Sequence, residues 1–452
     1  MTLPHSSQTP EAERTGHPPA LSVTPISHPL AATVRVPGSK SLTNRALLVA
    51  ALARGTTTLT HALFSDDSRY FVDSLTRLGF LSQSPSPNPQ AKITIYGLGG
   101  HIPCASAELF VGNAGTAARF LTALLTLGEG EYVLDGDARM RERPIADLLD
   151  ALTQLGAAVI SETGCPPVRV RAAGLPGGAA HLAGDTSSQF LSGLLMVAPY
   201  AQSPVELIVE RGLNSKPYVD LTLAVMADFG VGVEREGYEH FYIPPARYQP
   251  RAAYAIESDA SAASYFFAAP ALLGGRVRVE NISRRSRQGD IAFLDVLARM
   301  GCGVAEGEDW IEVIGLSVRA DGSPSLQGVD VDLRDIPDTA QTLAAIAPFA
   351  SSPTVIRGIA SARLKETDRV AAMCAELARL GVDVTEQPDG LIIQPCSQIR
   401  PATVRTYNDH RMVMAFALVG LKAPGVQIEN PGCVSKTFPN YFEVLEELRA
   451  SR

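Results

Sequence analysis

Basic side chains recur at the starts of segments that otherwise resemble buried helices. The stretch VPGSKSLTNRALLVAALARG opens with Lys40 and Ser41, and Arg45 follows Ser41 by one turn on the same helical face. Gly55 is predicted to lie just past the end of this helix. Free N–H groups and the positive end of the helix dipole favour anions, and lysine or arginine adds charge. The stretch therefore predicts an anion site.

The same chemistry recurs in four later segments. They are GNAGTAARFLTALL with Asn113, Gly115, Thr116 and Arg119; RERPIADLLDAL with Arg143, whose Pro144 suits a first helical position; GDTSSQFLSGLL with Ser187, Ser188 and Gln189; and NDHRMVMAFAL with Asp409 and Arg411. Serine, threonine and aspartate at helix starts are ordinarily plain N-caps. A cation there opposes the dipole and costs stability unless an anion offsets it. Lys40, Arg143 and Arg411 thus favour a functional interpretation over capping.

Carboxylates form a second set of candidates. Asp335 and Asp338 flank a proline at a predicted helix start in DLRDIPDTAQTL. In RLKETDRV, Lys365, Glu366 and Arg369 are predicted to open a helix together, with Lys365 and Arg369 on one face. For Glu366, a surface salt-bridge network explains the pattern as well as catalysis does. Lys436, in SKTFPNYF, is equally typical of a solvated lysine.

Helix endings repeat along the chain at nearly constant spacing. Glycines 79, 156, 230, 301 and 381 close helix-like segments such as LTRLG and LARLG, at intervals of 77, 74, 71 and 80 residues. Strand-like pairs follow each of them, and another helix and strand lie about midway between. The chain therefore predicts six strand–helix–strand–helix–strand–strand units, which are too long for an ordinary solenoid and divide into two domains of three.

Composition limits the possible classes of protein. The 452 residues carry a net charge of −8, which gives general nucleic-acid binding no electrostatic support. Six cysteines form no short-spaced pair and eight histidines show no ligand spacing, so a metal site is not expected. Residues 1–21 are predicted to be a flexible tail rather than a signal peptide. Without a long apolar run, we expect a soluble cytoplasmic protein.

Eight motifs along the chain, taken together and in order, resemble the 5-enolpyruvylshikimate-3-phosphate synthase family (3-phosphoshikimate 1-carboxyvinyltransferases). They are VPGSKSLTNRAL, GNAGTAARFL, RERPIADLLDAL, GDTSSQFLSGLL, SKPYVDLTL, RLKETDRV, YNDHRM and SKTFPNYF. The likeness implies an α/β, two-domain enolpyruvyl transferase fold with six βαβαββ repeats, three per domain, and an active site in the cleft between domains. It also implies transfer of the enolpyruvyl group of phosphoenolpyruvate to the 5-hydroxyl of 3-phosphoshikimate, in the shikimate pathway of aromatic amino acid and chorismate biosynthesis. Neither a metal nor an organic cofactor is implied.

The resemblance also assigns residues to two binding sites. For 3-phosphoshikimate, Ser41 and Arg45 would hold the carboxylate, and the remaining contacts are Lys40, Ser187, Ser188, Gln189, Ser215, Tyr218, Asp338, Ser361 and Lys365. Phosphoenolpyruvate would meet Lys40, Asn113, Gly115, Thr116, Arg143, Gln189, Arg369, Arg411 and Lys436. Asp338 resembles the base for the attacking hydroxyl, and Glu366 resembles the group that exchanges a proton with the methylene, with Lys40 and Lys436 as rival acids. The reaction that the resemblance implies is addition–elimination through a tetrahedral ketal, followed by loss of phosphate.

The resemblance further predicts how the chain divides. Residues 38–256 would form the N-terminal domain, and residues 22–37 with 257–452 the C-terminal domain, whose N-terminal strand begins near Val23. The chain would cross near 37–40 and return near 257–259. We expect a monomer that acts on small molecules, binds no membrane or nucleic acid, and is inhibited by glyphosate at the phosphoenolpyruvate site.

Three positions depart from the family pattern, and two other functions compete. Ser361, Phe120 and Asn440 replace asparagine, proline and aspartate, and the bulk of Phe120 is expected to reshape the phosphoenolpyruvate pocket. A UDP-N-acetylglucosamine enolpyruvyl transferase would carry a reactive cysteine where this chain has Ala138. An inactive anion-binding scaffold of the same fold would not need Lys40, Asp338 and Glu366 together.

Overall fold

The computed structural model describes residues 18–83, 92–315 and 326–450, and its strands form six small sheets. Five sheets have four strands and one has three. In four of the five four-stranded sheets, the first strand along the chain runs parallel to the second, the second pairs antiparallel with the fourth, and the third lies at the far edge. In the fifth, the parallel partner of Arg54–Thr60 is Tyr254–Ala255, which is the last strand of that sheet along the chain. The strands in spatial order are Tyr254–Ala255, Arg54–Thr60, Ile93–Leu98 and Leu81–Gln83; Ser106–Phe110, Glu129–Asp135, Val168–Ala173 and Ala158–Ile160; Gly178–Ala183, Val205–Glu210, His240–Ile243 and Glu234–Glu236; Leu30–Val34, Gly275–Glu280, Trp310–Gly315 and Gly303–Glu306; Asp330–Asp332, Thr354–Arg357, Gly390–Ile393 and Val384–Gln387; and Ala402–Val404, Val426–Glu429 and Ala20–Ser22.

Helices connect these strands in the order that the repeat predicts. The α-helices of the described residues are Lys40–Leu52, Asp66–Arg77, Gly115–Leu125, Ala146–Gln154, Ser188–Val197, Lys216–Asp228, Ala260–Leu273, Phe293–Arg299, Ala340–Ile346, Arg369–Arg379, His410–Lys422 and Tyr441–Ala450. None of them is long and apolar enough to cross a lipid bilayer.

The repeating glycines have one structural reason in common. Each lies two residues beyond the end of its helix and has a positive φ, a conformation that glycine adopts without steric cost. These glycines, with φ in parentheses, are Gly79 (93°), Gly156 (88°), Gly230 (88°), Gly301 (105°) and Gly381 (86°). The predicted α/β fold of βαβαββ units is confirmed.

Buried apolar side chains form two clusters. One consists of residues between 42 and 256, and the other combines residues 23–36 with residues 260–448. The chain passes between them at two adjacent points, where Ser39 donates its backbone N–H to Glu257 and Asp259 donates to Pro37, both at 2.9 Å. Leu30–Val34 therefore pairs with Gly275–Glu280, and Tyr254–Ala255 pairs with Arg54–Thr60.

Two local predictions at the N-terminal end are wrong. In place of one strand near Val23, Ala20–Ser22 pairs with Val426–Glu429 and Leu30–Val34 enters a different sheet. The strand Ala20–Ser22 thus overlaps the predicted tail of residues 1–21, of which residues 1–17 lie outside the described chain. Gly55 does not follow the first helix directly, since that helix ends at Leu52 and Gly55 is the second residue of strand Arg54–Thr60.

Candidate active site

Several helix starts face one narrow cavity. The helices beginning at Lys40, Gly115, Ser188 and Lys216 contribute their first turns, as does the 3-10 turn Pro337–Thr339. The residues lining the cavity are Lys40, Ser41, Arg45, Thr116, Ser188, Gln189, Ser215, Tyr218, Pro337, Asp338 and Lys365. All but Pro337 are predicted site residues. The first turn of an α-helix directs its free N–H groups forward, so this convergence favours an anionic ligand.

Arg45 is a buried cation whose hydrogen-bond partners are uncharged. Its Nε donates to the Thr222 hydroxyl at 2.7 Å, and Nη2 donates to the Ser192 hydroxyl at 3.2 Å and the Tyr218 carbonyl at 3.0 Å. The guanidinium lies 5.3 Å from the ring centroid of Phe120. Burial lowers the pKa of Arg45 to about 10. A buried guanidinium held rigidly by neutral groups is prepared for an external anion.

Arg143 contacts the start of the Gly115–Leu125 helix. Its Nη1 donates to the side-chain oxygen of Asn113 at 2.9 Å and to the Asn113 carbonyl at 3.1 Å. A Cβ on Gly115 would lie 2.4 Å from Arg143 Nη2, so only glycine leaves room for the guanidinium. Arg143 Nε is buried and has no hydrogen-bond partner within the described chain. This unsatisfied donor also points to a ligand.

Asp338 lies between two arginines. Its Oδ1 accepts from Arg369 Nη1 at 2.9 Å and its Oδ2 from Arg411 Nη2 at 2.7 Å. Burial would raise the pKa of Asp338, but the charges of Arg411, Lys365 and Arg369 outweigh it and hold the pKa well below its usual range. The carboxylate of Asp338 is therefore ionised.

Glu366 is paired with the cations around it. Its Oε2 accepts from Arg369 Nη2 at 2.8 Å, and its Oε1 lies 3.4 Å from Lys436 Nζ and 3.9 Å from Arg143 Nη1. Burial opposes ionisation of Glu366, but the charges of Arg369, Lys436 and Arg143 lower its pKa well below the usual value. Although burial lowers the pKa of Lys436, the carboxylates of Asp67 and Glu366 raise it overall, so Lys436 keeps its proton beside the ionised Glu366. Neither residue belongs to a surface salt-bridge network, since Glu366 is 7% and Lys436 9% exposed.

Local geometry around three of these residues differs from the prediction. Arg143 follows a 3-10 turn and the helix after it begins only at Ala146, so Pro144 does not occupy the first helical position. Lys365 and Glu366 precede the helix Arg369–Arg379 in an irregular segment, because Asp368 caps that helix through its side chain. The helical-face argument for Lys365 and Arg369 is therefore wrong, although both approach Asp338.

The remaining predicted residues lie around this centre. Ser187 caps the Ser188–Val197 helix, where its Oγ accepts from the Gln189 N–H at 3.3 Å. Ser215 has a left-handed φ of 57° and donates its N–H to the Arg334 carbonyl at 3.1 Å. Ser361 lies in the 3-10 turn Ala360–Leu364, four residues before Lys365. Asn113, Glu366 and Lys436 line a second, wider cavity of about 1100 Å³.

Sequence reasoning missed two buried carboxylates of the site. Asp67 lies 3.7 Å from Lys40 Nζ and 3.4 Å from Lys436 Nζ, and it connects the two lysines. Its position in the first turn of a helix makes it look like an ordinary dipole partner. Asp290 accepts from the Tyr218 hydroxyl at 3.2 Å and from the Ser261 hydroxyl. Only the three-dimensional contact distinguishes these aspartates from surface ones.

The chain has the enolpyruvyl transferase fold, in which six βαβαββ units direct helix starts and basic side chains into one cleft. Among solved structures, EPSP synthase from Acinetobacter baumannii is similar, with a TM-score of 0.77 and 26% identity over 95% of this chain and 98% of that chain. The family profile described as EPSP synthase (3-phosphoshikimate 1-carboxyvinyltransferase) matches residues 24–445, and the chain belongs to this family.

Curated relatives support the same assignment across nearly the whole length. A 3-phosphoshikimate 1-carboxyvinyltransferase of Trichormus variabilis is 51% identical over 426 residues, which cover 93% of this chain and 97% of the relative. One of a Shewanella species is 49% identical over 420 residues, covering 92% of this chain and 96% of the relative. The chain therefore matches these 3-phosphoshikimate 1-carboxyvinyltransferases over more than nine tenths of their length.

Proposed function

We propose that the chain transfers the enolpyruvyl group of phosphoenolpyruvate to the 5-hydroxyl of 3-phosphoshikimate and releases phosphate. The observation that carries this proposal is the ionised Asp338 between Arg369 and Arg411, at the wall of a cavity to which helix starts add anion-binding N–H groups. Both substrates are polyanions, and bidentate arginine suits their carboxylates and phosphates. The family membership gives the same substrates.

The two substrates would occupy adjoining parts of the site. Arg45 and Ser41 would receive the carboxylate of 3-phosphoshikimate, since Arg45 lacks an anionic partner among its hydrogen bonds. Its phosphate would lie against Ser187, Ser188, Ser215 and Lys365, with Gln189, Tyr218, Lys40 and Ser361 around the ring. Phosphoenolpyruvate would lie against Lys40, Asn113, Gly115, Thr116, Arg143, Gln189, Arg369, Arg411 and Lys436. Because Phe120 contacts Arg45, its effect would fall on the shikimate carboxylate rather than on phosphoenolpyruvate.

The proton transfers follow from the charges. Bound phosphoenolpyruvate would draw Arg369 and Arg411 away from Asp338, which raises the basicity of the carboxylate so that it takes the proton of the attacking 5-hydroxyl. The Lys436–Glu366 pair, joined at 3.4 Å, would give its proton to the methylene carbon. The resulting ketal would return a methyl proton to this pair or to Lys40 as the carbon–oxygen bond to phosphate breaks. Nearby cations would stabilise the leaving phosphate.

The two apolar cores suggest how the site opens. We infer that residues 38–256 and residues 22–37 with 257–452 are two domains, because each range contains one core and the chain crosses between them twice. Site residues come from both, so ligands should draw the domains together. X-ray scattering should show a smaller radius of gyration with 3-phosphoshikimate and glyphosate bound. Identical curves with and without ligands would contradict this division.

We also propose that the protein acts in the cytoplasm as a monomer. Six free cysteines support a reducing compartment, which is the cytoplasm. Because both substrates can be held by residues of one chain, a monomer is sufficient for activity.

Phosphate release measured with 3-phosphoshikimate and phosphoenolpyruvate tests the proposal directly. UDP-N-acetylglucosamine serves as the alternative acceptor, and no release is expected with it because Ala138 is not a cysteine. Release only with the nucleotide sugar would assign the rival transferase function. Binding of both substrates without any release would indicate an inactive scaffold.

A further inference from the structure

Arg139 reaches from one core to the loop that carries two predicted active-site residues. Its Nε donates to the backbone carbonyl of Lys365 at 3.3 Å and to that of Glu366 at 3.1 Å, and its Nη2 donates to the Lys365 carbonyl at 3.0 Å. Arg139 adjoins Met140 of the core formed by residues 42–256, whereas the loop precedes Val370 of the other core. These hydrogen bonds therefore span the two cores.

The third nitrogen of the guanidinium is also engaged. Arg139 Nη1 donates to Glu142 Oε2 at 2.7 Å, within the same 3-10 turn region that ends at Arg143. The turn is fixed further by the N–H of Met140, which donates to Asp137 Oδ1 at 2.8 Å. Glu142 thus holds one side of the planar guanidinium, and Nε and Nη2 on the other side bind the two carbonyls. A lysine ammonium cannot reproduce this planar arrangement of donors.

The loop needs an external support because it has no regular secondary structure. The 3-10 turn before it ends at Leu364 and the helix after it begins at Arg369. Lys365 lines the narrow cavity beside Asp338, and Glu366 lines the wider one. A shift of this backbone would move both side chains together, and displacements of about 1 Å in a catalytic group cost roughly 100-fold in rate.

We propose that Arg139 is a positioning residue that aligns Lys365 and Glu366 by binding their backbone carbonyls across the two cores. It acts through the loop and needs no contact with substrate. The effect on turnover rests on the proposed function, whereas the effect on the loop itself does not.

The test compares Arg139→Ala and Arg139→Lys with Arg141→Ala. Arg141 is a matched control, since it lies two residues away, is 56% exposed and pairs with Asp135 of the same core at 2.5 Å. Hydrogen exchange of the amides of residues 365–368 is measured without substrate. We expect exchange about tenfold faster or more in both Arg139 variants, the change that corresponds to losing one hydrogen bond to a charged group. Arg141→Ala should exchange like the parent.

Kinetics supply the second measurement. Both Arg139 variants should lower kcat by roughly tenfold or more with a smaller change in either KM, and ethylguanidinium added to Arg139→Ala should restore part of kcat. Parent-like exchange in Arg139→Ala would overturn the proposal, as would full activity of Arg139→Lys. Equal losses in Arg141→Ala would also overturn it. If the parent shows no turnover, the proposed function fails while the exchange data still decide the role of Arg139.

Discussion

Replacing Gly115 with alanine adds one methyl group at the start of a site helix. The new Cβ would lie 2.4 Å from Arg143 Nη2 and 2.9 Å from its Cζ. Ordinary carbon contacts begin near 3.4 Å, so the guanidinium would have to move by about 1 Å. Arg143 is 4% exposed, and a close-packed site gives it little freedom to do so.

The size of the effect follows from the bonds that such a movement breaks. A displacement of about 1 Å removes the 2.9 Å and 3.1 Å hydrogen bonds from Arg143 to Asn113 and shifts the cation away from its ligand. One hydrogen bond to a charged group contributes about 1.5–3 kcal/mol, which corresponds to a roughly 10- to 150-fold change in affinity. We expect KM for phosphoenolpyruvate to rise by at least about 10-fold, the lower end of this range. Glyphosate, which the family resemblance places in the same site, should lose at least as much affinity.

Steady-state assays of phosphate release at varied phosphoenolpyruvate and glyphosate measure both quantities. Gly193→Ala is the matched control, because Gly193 is also a glycine of a buried site helix but its Cβ would come no closer than 3.3 Å to another atom. The parent and the Gly193 variant should be inhibited competitively with phosphoenolpyruvate, and KM for 3-phosphoshikimate should change little in either variant.

Two outcomes would refute this reasoning. Unchanged KM and inhibition in Gly115→Ala would mean that Arg143 does not bind phosphoenolpyruvate in the position seen here. Activity of the parent at millimolar glyphosate with subsaturating phosphoenolpyruvate would mean that Gly115 does not set the response by itself.

Two further predictions concern buried aspartates. Asp338→Ala should lower kcat by roughly 100-fold or more, which is the usual contribution of a general base. Binding of phosphoenolpyruvate, measured by calorimetry, should not weaken, because the substitution frees the Arg411 guanidinium. Near-normal turnover would exclude Asp338 as the base. Burial, together with the charge of Asp338, raises the pKa of Asp290 to about 7, above the unfolded value of roughly 3.9. The folded protein therefore binds more protons between these values, and this contribution to stability is lost as pH rises toward 7. Asp290→Asn should therefore reduce the fall in Tm between pH 5 and pH 8. The control Asp295→Asn, which changes an exposed carboxylate, should show the same fall in Tm as the parent. Equal falls in both variants would contradict the raised pKa of Asp290.

Much of the fold could be predicted because its signals are local. Each repeat ends a helix with a glycine of positive φ, and that requirement is visible in the sequence. The N-terminal strands could not be predicted in the same way, since Ala20–Ser22 and Leu30–Val34 find their partners more than 240 residues away along the chain. Pairing over such separations leaves no periodic pattern.

Some residues of the candidate site could likewise be predicted from the sequence, and others could not. Cations at helix starts, such as Arg411, could be recognised because they oppose the helix dipole. Arg139 and Asp67 could not, since an arginine near a glutamate and an aspartate in a first helical turn are ordinary surface patterns. What makes them part of the site is a contact across the two cores, and this depends on the tertiary structure alone.

The double crossing between the cores also sets an order for folding during synthesis. Residues 42–256 form one uninterrupted core, which can fold as soon as it has left the ribosome. The strand Leu30–Val34, although made earlier, has to wait for Gly275–Glu280, and Ala20–Ser22 has to wait for Val426–Glu429 near the end of the chain. At about 5–20 residues per second, the 196 residues after position 256 take roughly 10–40 s to synthesise. Leu30–Val34 can pair once residue 280 has been made, whereas Ala20–Ser22 stays unpaired for most of that interval beside a finished neighbour, so the C-terminal core is the part that most needs protection from aggregation.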